Sequence, residues 1–477
     1  DTLAYLMEAG ARVVVAAHLG SYEPGANPLR LDGLAAQLSA RLGRPVALLE
    51  GWDKDEMLRA VNRLHDGELL VLENLSREPG EETNAPEFAE LLAGLCDIHC
   101  NDAFTLAHEL RASTVGVARR IRRSVAGRAF DHELAMFRQT LDDPARPVLT
   151  ILGGRLSEEK LAMVEVIARR SDVLLLGGEL CLPFLIAQGH DAGGAEVTGE
   201  MVMLAERILS AARRGKREID TPLDFMTIRK AELERMKQGG RFALGPEVSN
   251  TPAREVRHDR VICDIGETTR WAWSGRFGFA RTIFWHGPVG LCEYEPFAEG
   301  TRFLANELVN RTWPGMHRAI IAGGSLTAAI RKMKLATKDN HHLSLAGKPA
   351  LHYFAGRSLP AVDALCQSAM STGEPPRVLI PLGSPDSDVS ALRVAAELGK
   401  GGAEIYLLHV QPGFDEERHA DIAKVKSEAE RLEKRMQITS ARLRRGGFLR
   451  QPMQSWRGRG WPRITNSWPG AVRLRRS

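Results

Sequence analysis

Five glycine-bearing stretches carry the clearest chemical signal in the chain: Gly153-Gly154, Gly177-Gly178, Gly266, Gly287 and Gly323-Gly324. Each follows a short apolar run that reads as a β-strand. Ligands of open α/β sheets bind at the carboxyl ends of strands, and a residue without Cβ lets backbone N–H groups approach a phosphate. The pattern predicts a phosphate-binding edge, and with it a nucleotide, on the segment that holds these glycines. Ordinary turns and helix C-caps account for one or two such placements, but five in one segment favour the phosphate reading. Histidines are the other candidates, at His18, His108, His286 and the pair His341-His342. No ligand spacing joins them, so no metal site is expected. The six cysteines (Cys96, Cys100, Cys181, Cys263, Cys292, Cys366) lie on mostly apolar segments without CxxC pairs and are expected to be buried free thiols.

The elements that must hold these residues alternate in type. Apolar runs at Val13 to Ala16, Val46 to Leu49, Leu69 to Leu72 and Asp97 to Cys100 are separated by amphipathic segments such as Asp32 to Leu42 and Lys54 to Leu64. Continuous apolar strands between such helices indicate a parallel sheet covered on both faces. A second series has expected strands at Val148 to Leu152, Val173 to Leu176, Val261 to Cys263, Thr282 to Trp285 and Arg318 to Ile321. Helices are expected there at Ser157 to Ala168 and Glu200 to Arg213. The expected class is α/β, with two doubly wound parallel-sheet lobes (1–130 and 131–365) joined by a hinge helix at Asp131 to Leu141 and followed by a partial third α/β domain. The helical pattern begins at the first residue, which suggests a strand upstream of Asp1.

The chain has 477 residues, 64 Lys+Arg against 60 Asp+Glu, and 44% hydrophobic residues. That composition excludes a mainly disordered chain and suggests several domains. All ten arginines between Ser440 and Ser477 stand without an acid, which leaves 54 basic against 60 acidic groups elsewhere. The basic character therefore belongs to the tail, 440–477, whose Arg, Gly, Pro and Trp show no period and predict an unstructured segment. Its charge and aromatics would suit nucleic acid, but without a folded platform no nucleic-acid role is expected. No apolar run approaches the roughly 18 residues that span a bilayer, and a cytoplasmic protein is expected.

Collinear short runs over residues 1 to 365 resemble phosphoglycerate kinase. They are His18-Leu19-Gly20, Leu72-Glu73-Asn74, Asn101-Asp102-Ala103-Phe104 with Ala107-His108, Ile151-Leu152-Gly153-Gly154 with Lys160, Gly177-Gly178, Pro222 with Asp224, Asp264-Ile265-Gly266, Trp285 with Gly287-Pro288 and Gly290, Glu293, and Leu359-Pro360. The resemblance implies an amino-terminal lobe for 3-phosphoglycerate, a carboxyl-terminal lobe for ADP or ATP with Mg²⁺, and lobe closure that brings the phosphates in line. It assigns Lys160 and Gly347 to catalysis, and His18, Leu19, Gly20, Ser21, Ser76 and Glu109 to the substrate positions. Lys160, Gly266, Glu293, Gly323, Gly324 and Ser325 fall at the nucleotide positions.

Phosphoryl transfer rests on positioning and on cationic stabilisation of the transferring oxygens. This sequence departs from the family pattern at the cations. Ser21, Ser76 and Glu109 stand where the family has arginines, and Leu156 replaces a lysine. Ser325 replaces the carboxylate of the metal–nucleotide loop, and His286 an asparagine. Ser344-Leu345-Ala346-Gly347-Lys348 aligns with the family's glycine-rich loop. Arg77 and Arg111 lie one and two positions beyond lost arginines; if the backbone at Arg77 is extended, a one-residue offset turns its side chain to the other face. Arg155, beside Leu156, remains within reach of a phosphate. The expectation is a phosphoglycerate kinase-like phosphotransferase with weak or lost activity, or else a nucleotide-binding pseudoenzyme.

Arg377 to Val410, with expected strands at Val378 to Pro381 and Ala403 to Val410 and a helix at Asp388 to Leu398, resembles the opening half of a universal stress protein domain. A charged helix is expected at Asp415 to Met436, within a domain spanning 377–439. The nucleotide-binding Asp of that family is absent, since Gly383 follows Pro381-Leu382. Half a sheet leaves an open edge, which predicts self-association or docking of this domain, whereas the kinase part is expected to be monomeric.

Overall fold

The computed structural model describes residues 2–20, 29–238, 248–310, 318–335 and 340–371, with three short strands beyond them. By contacts the chain divides into Asp1–Cys366 and Gln367–Ser477.

In the first unit the strands are β1 (Val13–Val15), β2 (Ala47–Leu48), β3 (Leu69–Val71), β4 (His99–Asn101), β5 (Ser124–Ala126), β6 (Val148–Leu152), β7 (Val173–Leu176), β8 (Glu218–Asp220), β9 (Asp224–Arg229), β10 (Ser249–Pro252), β11 (Arg260–Ile265), β12 (Thr282–His286), β13 (Arg318–Ala322) and β14 (His341–Ser344). A six-stranded parallel sheet, in the order β14-β13-β12-β6-β7-β8, forms the carboxyl-terminal lobe. Side chains on its strands alternate between two cores, as a period of two requires. Ile151, Ile283, Trp285 and Ile321 enter one, packed with Trp273, Leu304 and Leu326. Leu152, Phe284 and Ile320 enter the other. That second core also takes in Phe104, Ala107 and Val115 of the amino-terminal lobe, so apolar packing is continuous across the lobe boundary.

The two-lobed α/β expectation holds, with three changes. In the first lobe the parallel strands divide into β1-β3-β2 and a separate β4-β5 pair rather than one sheet. The strand anticipated at Val261 to Cys263 exists as β11, but it pairs antiparallel with β9 in a distinct β10-β9-β11 sheet. An apolar run shows that a strand is buried and leaves its partner's direction open. Only Cys181 and Cys263 are buried among the six free cysteines, and Cys366 is exposed.

The connecting helix runs Arg128–Leu141, three residues earlier than expected. Asp102 explains the earlier start, because its Oδ1 accepts from Phe130 N at 2.8 Å. Gly127 is required there, since a Cβ would lie 2.4 Å from the Asp102 carboxyl carbon. Farther along, Glu133 Oε2 sits 2.9 Å from His342 Nε2 on β14, and the Gln139 carbonyl accepts from Arg318. This helix is thus fastened to both lobes.

In the second unit, Arg377–Leu382 and Glu404–His409 pair in parallel, as the βαβ reading expects. The helices anticipated at Asp388 to Leu398 and Asp415 to Met436 lie outside the described residues. Within the stretch expected to be unstructured, Ala471–Val472 pairs antiparallel with the second of these strands.

Candidate functional site

The carboxyl ends of β6, β12 and β13 meet at one edge. The register places His286 beside Leu152 on one side and Ala322 on the other, so the residues that follow, Gly153, Gly287 and Gly323, come together. Gly153 N donates to the His286 carbonyl at 2.9 Å, and Gly287 N donates to the Ala322 carbonyl at 3.2 Å. Gly323 has φ +108°, a backbone only glycine adopts easily. Among the described residues, a Cβ at Gly324 or at Gly347 would meet nothing within 4 Å. The loops after β13 and β14 thus leave room beside these glycines, among the described residues, as a phosphate cradle requires. Gly324 also begins the helix Gly324–Lys332, whose second residue is the exposed Ser325.

Lys160 reaches this edge from the helix Glu158–Arg170, which Ser157 caps by accepting from Lys160 N. Its ammonium donates to the Gly153 carbonyl. Burial pulls the ammonium down to about 8, against the carboxylate of Glu179. Leu156 offers no second cation. Its backbone N–H instead donates to Glu179 Oε2 at 3.1 Å, and Arg155 is exposed. His286 forms the floor of the cradle. Its Nε2 lies 3.1 Å from the Gly347 carbonyl, and its buried Nδ1 has no hydrogen-bond partner among the described residues. Gly266 packs against Asp224 and Asn250, leaving no room for a Cβ, while Glu293 is exposed beyond β12.

Burial pushes the His286 imidazole down to about 3, with Lys160 adding to the effect. An imidazole of ordinary pKa in the unfolded chain takes up a proton that the folded chain refuses. Its contribution to stability is therefore complete above about pH 6.5 and declines as pH falls toward 3. Asp264, which burial pushes up to about 7, acts in the opposite sense between pH 4 and 7. Comparison with His286→Asn isolates the histidine: the variant's urea midpoint should fall less than the parent's between pH 6.5 and 4.5. Parallel profiles would show that the ring titrates normally.

The second group of site residues lies in the amino-terminal lobe. His18, Leu19 and Gly20 follow β1, and Asn74 stitches their loop by accepting from Leu19 N and donating to the Leu19 and Leu29 carbonyls. Ser76 is buried, and its hydroxyl donates to the Gly20 carbonyl at 2.9 Å. Ser21 lies outside the described residues. His18 Nε2 sits 2.9 Å from Glu81, a fully buried carboxylate that also accepts from Ser113 N and Ser113 Oγ. Sequence reasoning passed over Glu81, because 63 residues separate it from His18 and no local pattern joins them.

Arg77 and Arg111, just beyond positions where the resemblance puts arginines, are each paired with an acid. Arg77 lies in the 3₁₀ turn Leu75–Arg77, not in an extended segment, and donates to Glu73 at 2.6 Å. Arg111 donates to Glu109 and lies 3.8 Å from Glu82. Each arginine is thus neutralised by its own neighbours.

The two lobes touch at His108. There the rings of His108 and His352 meet edge to face with centroids 5.4 Å apart. His352 Nε2 lies 3.2 Å from Glu159, and burial pushes the His108 imidazole down to about 4.

A helix-linked pair of α/β lobes, one bearing a glycine cradle with a lysine at its edge, defines a two-lobed α/β kinase. The family model described as phosphoglycerate kinase matches residues 1–357. The phosphoglycerate kinase of Methylorubrum populi is 35% identical over 367 residues, covering 76% of this chain and 88% of the relative. That of Dictyoglomus turgidum is 33% identical over 368 residues, with the same coverage of 76% and 88%. Among solved structures, phosphoglycerate kinase from Coxiella burnetii aligns with a TM-score of 0.62 and 28% identity over 77% of this chain and 89% of that one. The enzyme from Pyrococcus horikoshii gives 0.63 and 27%, over 78% and 90%. The chain belongs to the phosphoglycerate kinase family.

The family implies Mg²⁺ with its nucleotide, and the residues present do not fit that ion. Ser325 supplies a hydroxyl where a carboxylate is needed. Among the described residues no three His, Cys, Asp or Glu side chains are placed to hold a metal. Asp264 is buried and accepts from Ile265 N and Gly300 N, and Glu179 accepts from Leu156 N. His341 and His342 begin β14, at the end away from the cradle, and His342 Nε2 lies 2.9 Å from Glu133. Among the described residues, no helix is long and apolar enough to cross a membrane.

Proposed function

We propose that this chain is a phosphoglycerate kinase-family protein that holds an adenine nucleotide by its phosphates on the carboxyl-terminal lobe and transfers phosphoryl groups to 3-phosphoglycerate weakly or not at all. The observation that carries this reading is the self-neutralisation of the amino-terminal site. Glu109 takes an arginine position and captures Arg111, while Ser76 spends its hydroxyl on the Gly20 carbonyl. His18 and the Leu19-Gly20 loop orient a ligand without offering it a fixed positive charge. On the other lobe, Lys160, Gly323 and Gly324 retain the geometry for phosphate contact, and Glu293 stands exposed where the resemblance puts the ribose.

Transfer between a carboxylate and a nucleotide brings several negative oxygens together, and single preorganised donors at such sites are worth about 2.7–4 kcal/mol of barrier. Losing several predicts turnover well below the roughly 1–100 per second typical of kinases. A coupled assay with 3-phosphoglycerate and Mg-ATP tests this, and turnover above about one per second would overturn the reading. A second reading, a catalytically dead nucleotide-binding regulator, is favoured by the open cradle at Gly324 and Gly347 beside a depleted cation set. It differs in giving the bound nucleotide a regulatory role, and any transfer detected in prolonged single-turnover experiments would exclude it.

A further inference from the structure

Lys348 stands at the position where the glycine-rich loop passes into the helix Lys348–Phe354. Three observations tie this residue to the surroundings of the phosphate cradle. The preceding residue, Gly347, is tied by its carbonyl to His286 on the cradle floor, so Lys348 begins one Cα step, about 3.8 Å, from a fixed point of the site. Its Nζ lies 3.4 Å from Glu159, the neighbour of Lys160, whose own ammonium rests on the Gly153 carbonyl. Lys348 thus meets the first turn of the helix that carries Lys160. Finally, His352, one turn beyond Lys348, bonds to the same Glu159 and packs on His108, so this helix face looks toward the amino-terminal lobe.

The pair with Glu159 does not hold Lys348 firmly. Its side chains are 61% and 44% exposed, and ion pairs so open to solvent add little to stability. A phosphate group carries more charge than one carboxylate and competes well for a flexible ammonium. We propose that Lys348 is a phosphate-contacting residue, whose ammonium leaves Glu159 to neutralise the terminal phosphate of a nucleoside di- or triphosphate on the glycine strand ends, in the role that Leu156 cannot fill. The assignment rests on the reading that the carboxyl-terminal lobe holds an adenine nucleotide.

The test is calorimetric titration of the full chain, Lys348→Ala and Lys348→Arg with ADP and with adenosine, in the absence of metal. Lys348→Ala should weaken ADP by about tenfold, the scale of one charge-assisted hydrogen bond, and leave adenosine unchanged. Lys348→Arg should retain ADP to within about threefold, because the charge stays. Glu159→Gln should tighten ADP by freeing the ammonium. Should the parent bind ADP while Lys348→Ala matches it, this assignment fails and the nucleotide reading stands. An equal loss for ADP and adenosine also overturns it, by showing a structural effect. Absence of ADP binding by the parent overturns both.

Discussion

Glu109→Arg is expected to raise the affinity of the chain for 3-phosphoglycerate by about ten- to a hundredfold. The estimate follows from charge-assisted hydrogen bonds to phosphate or carboxylate, worth about 1.5–3 kcal/mol each. Two effects act together. The substitution removes a carboxylate from a surface that must accept an anion, and it releases Arg111, whose remaining acid is Glu82 at 3.8 Å. Glu109→Gln should recover part of the gain, because it frees Arg111 without adding a cation. Titration calorimetry with 3-phosphoglycerate measures both variants, and raised salt should erode the gain. Equal affinity in parent and both variants would mean that Glu109 does not face the ligand. A gain with glutamine as large as that with arginine would assign the whole effect to Arg111.

The second large effect concerns the cradle itself. Gly153→Ala is expected to cost about 2–4 kcal/mol of stability, combining overpacking with loss of a backbone hydrogen bond. A Cβ on Gly153 would lie 2.1 Å from the Pro288 carbonyl oxygen and 2.7 Å from its carbon. Neither atom can turn aside, because both belong to the backbone that receives Gly154 N at 2.6 Å. The loops after β6 and β12 would have to separate, and they carry the site. Gly275→Ala is the control: nothing among the described residues lies within 4 Å of a Cβ there, and in the helix Glu267–Arg276 alanine should be neutral or stabilising by up to about 1 kcal/mol. Urea midpoints compare the two. Equal midpoints would show that the two loops yield at little cost.

These outcomes bear on how this site departs from its family. The glycines and apolar strands that build the cradle are present, while the groups that would neutralise charge on the substrate are replaced or paired internally. Both facts belong to side chains at a few positions, and the sheet that presents them does not depend on their charge. A fold of this kind keeps its core through Phe284, Trp285 and Ile321 whatever stands at position 109 or 325.

Much of the carboxyl-terminal lobe was legible in the sequence. Val148–Leu152 and Val173–Leu176 are fully apolar or nearly so, and strands buried on both faces announce themselves that way. The glycines that end them mark the proposed site edge for the same local reason. The pairing of β11 was not legible, since an apolar run fixes burial and leaves open which neighbour lies beside it. Nor was the start of the helix at Arg128, which depends on Asp102 from a distant turn.

The sequence by itself determined which charges are present: Glu109, Ser76 and Leu156 can be read directly from their places in the motifs. Only the tertiary structure decided what the remaining charges do. Arg111 turns back to Glu109, Arg77 to Glu73 and Lys160 to the Gly153 carbonyl, while Lys348 is brought beside Glu159 from 189 positions away. The physical reason is that a residue's charge is a local property of its side chain, whereas its availability to a ligand depends on the partners within a few ångströms, and folding gathers those partners from anywhere along the chain.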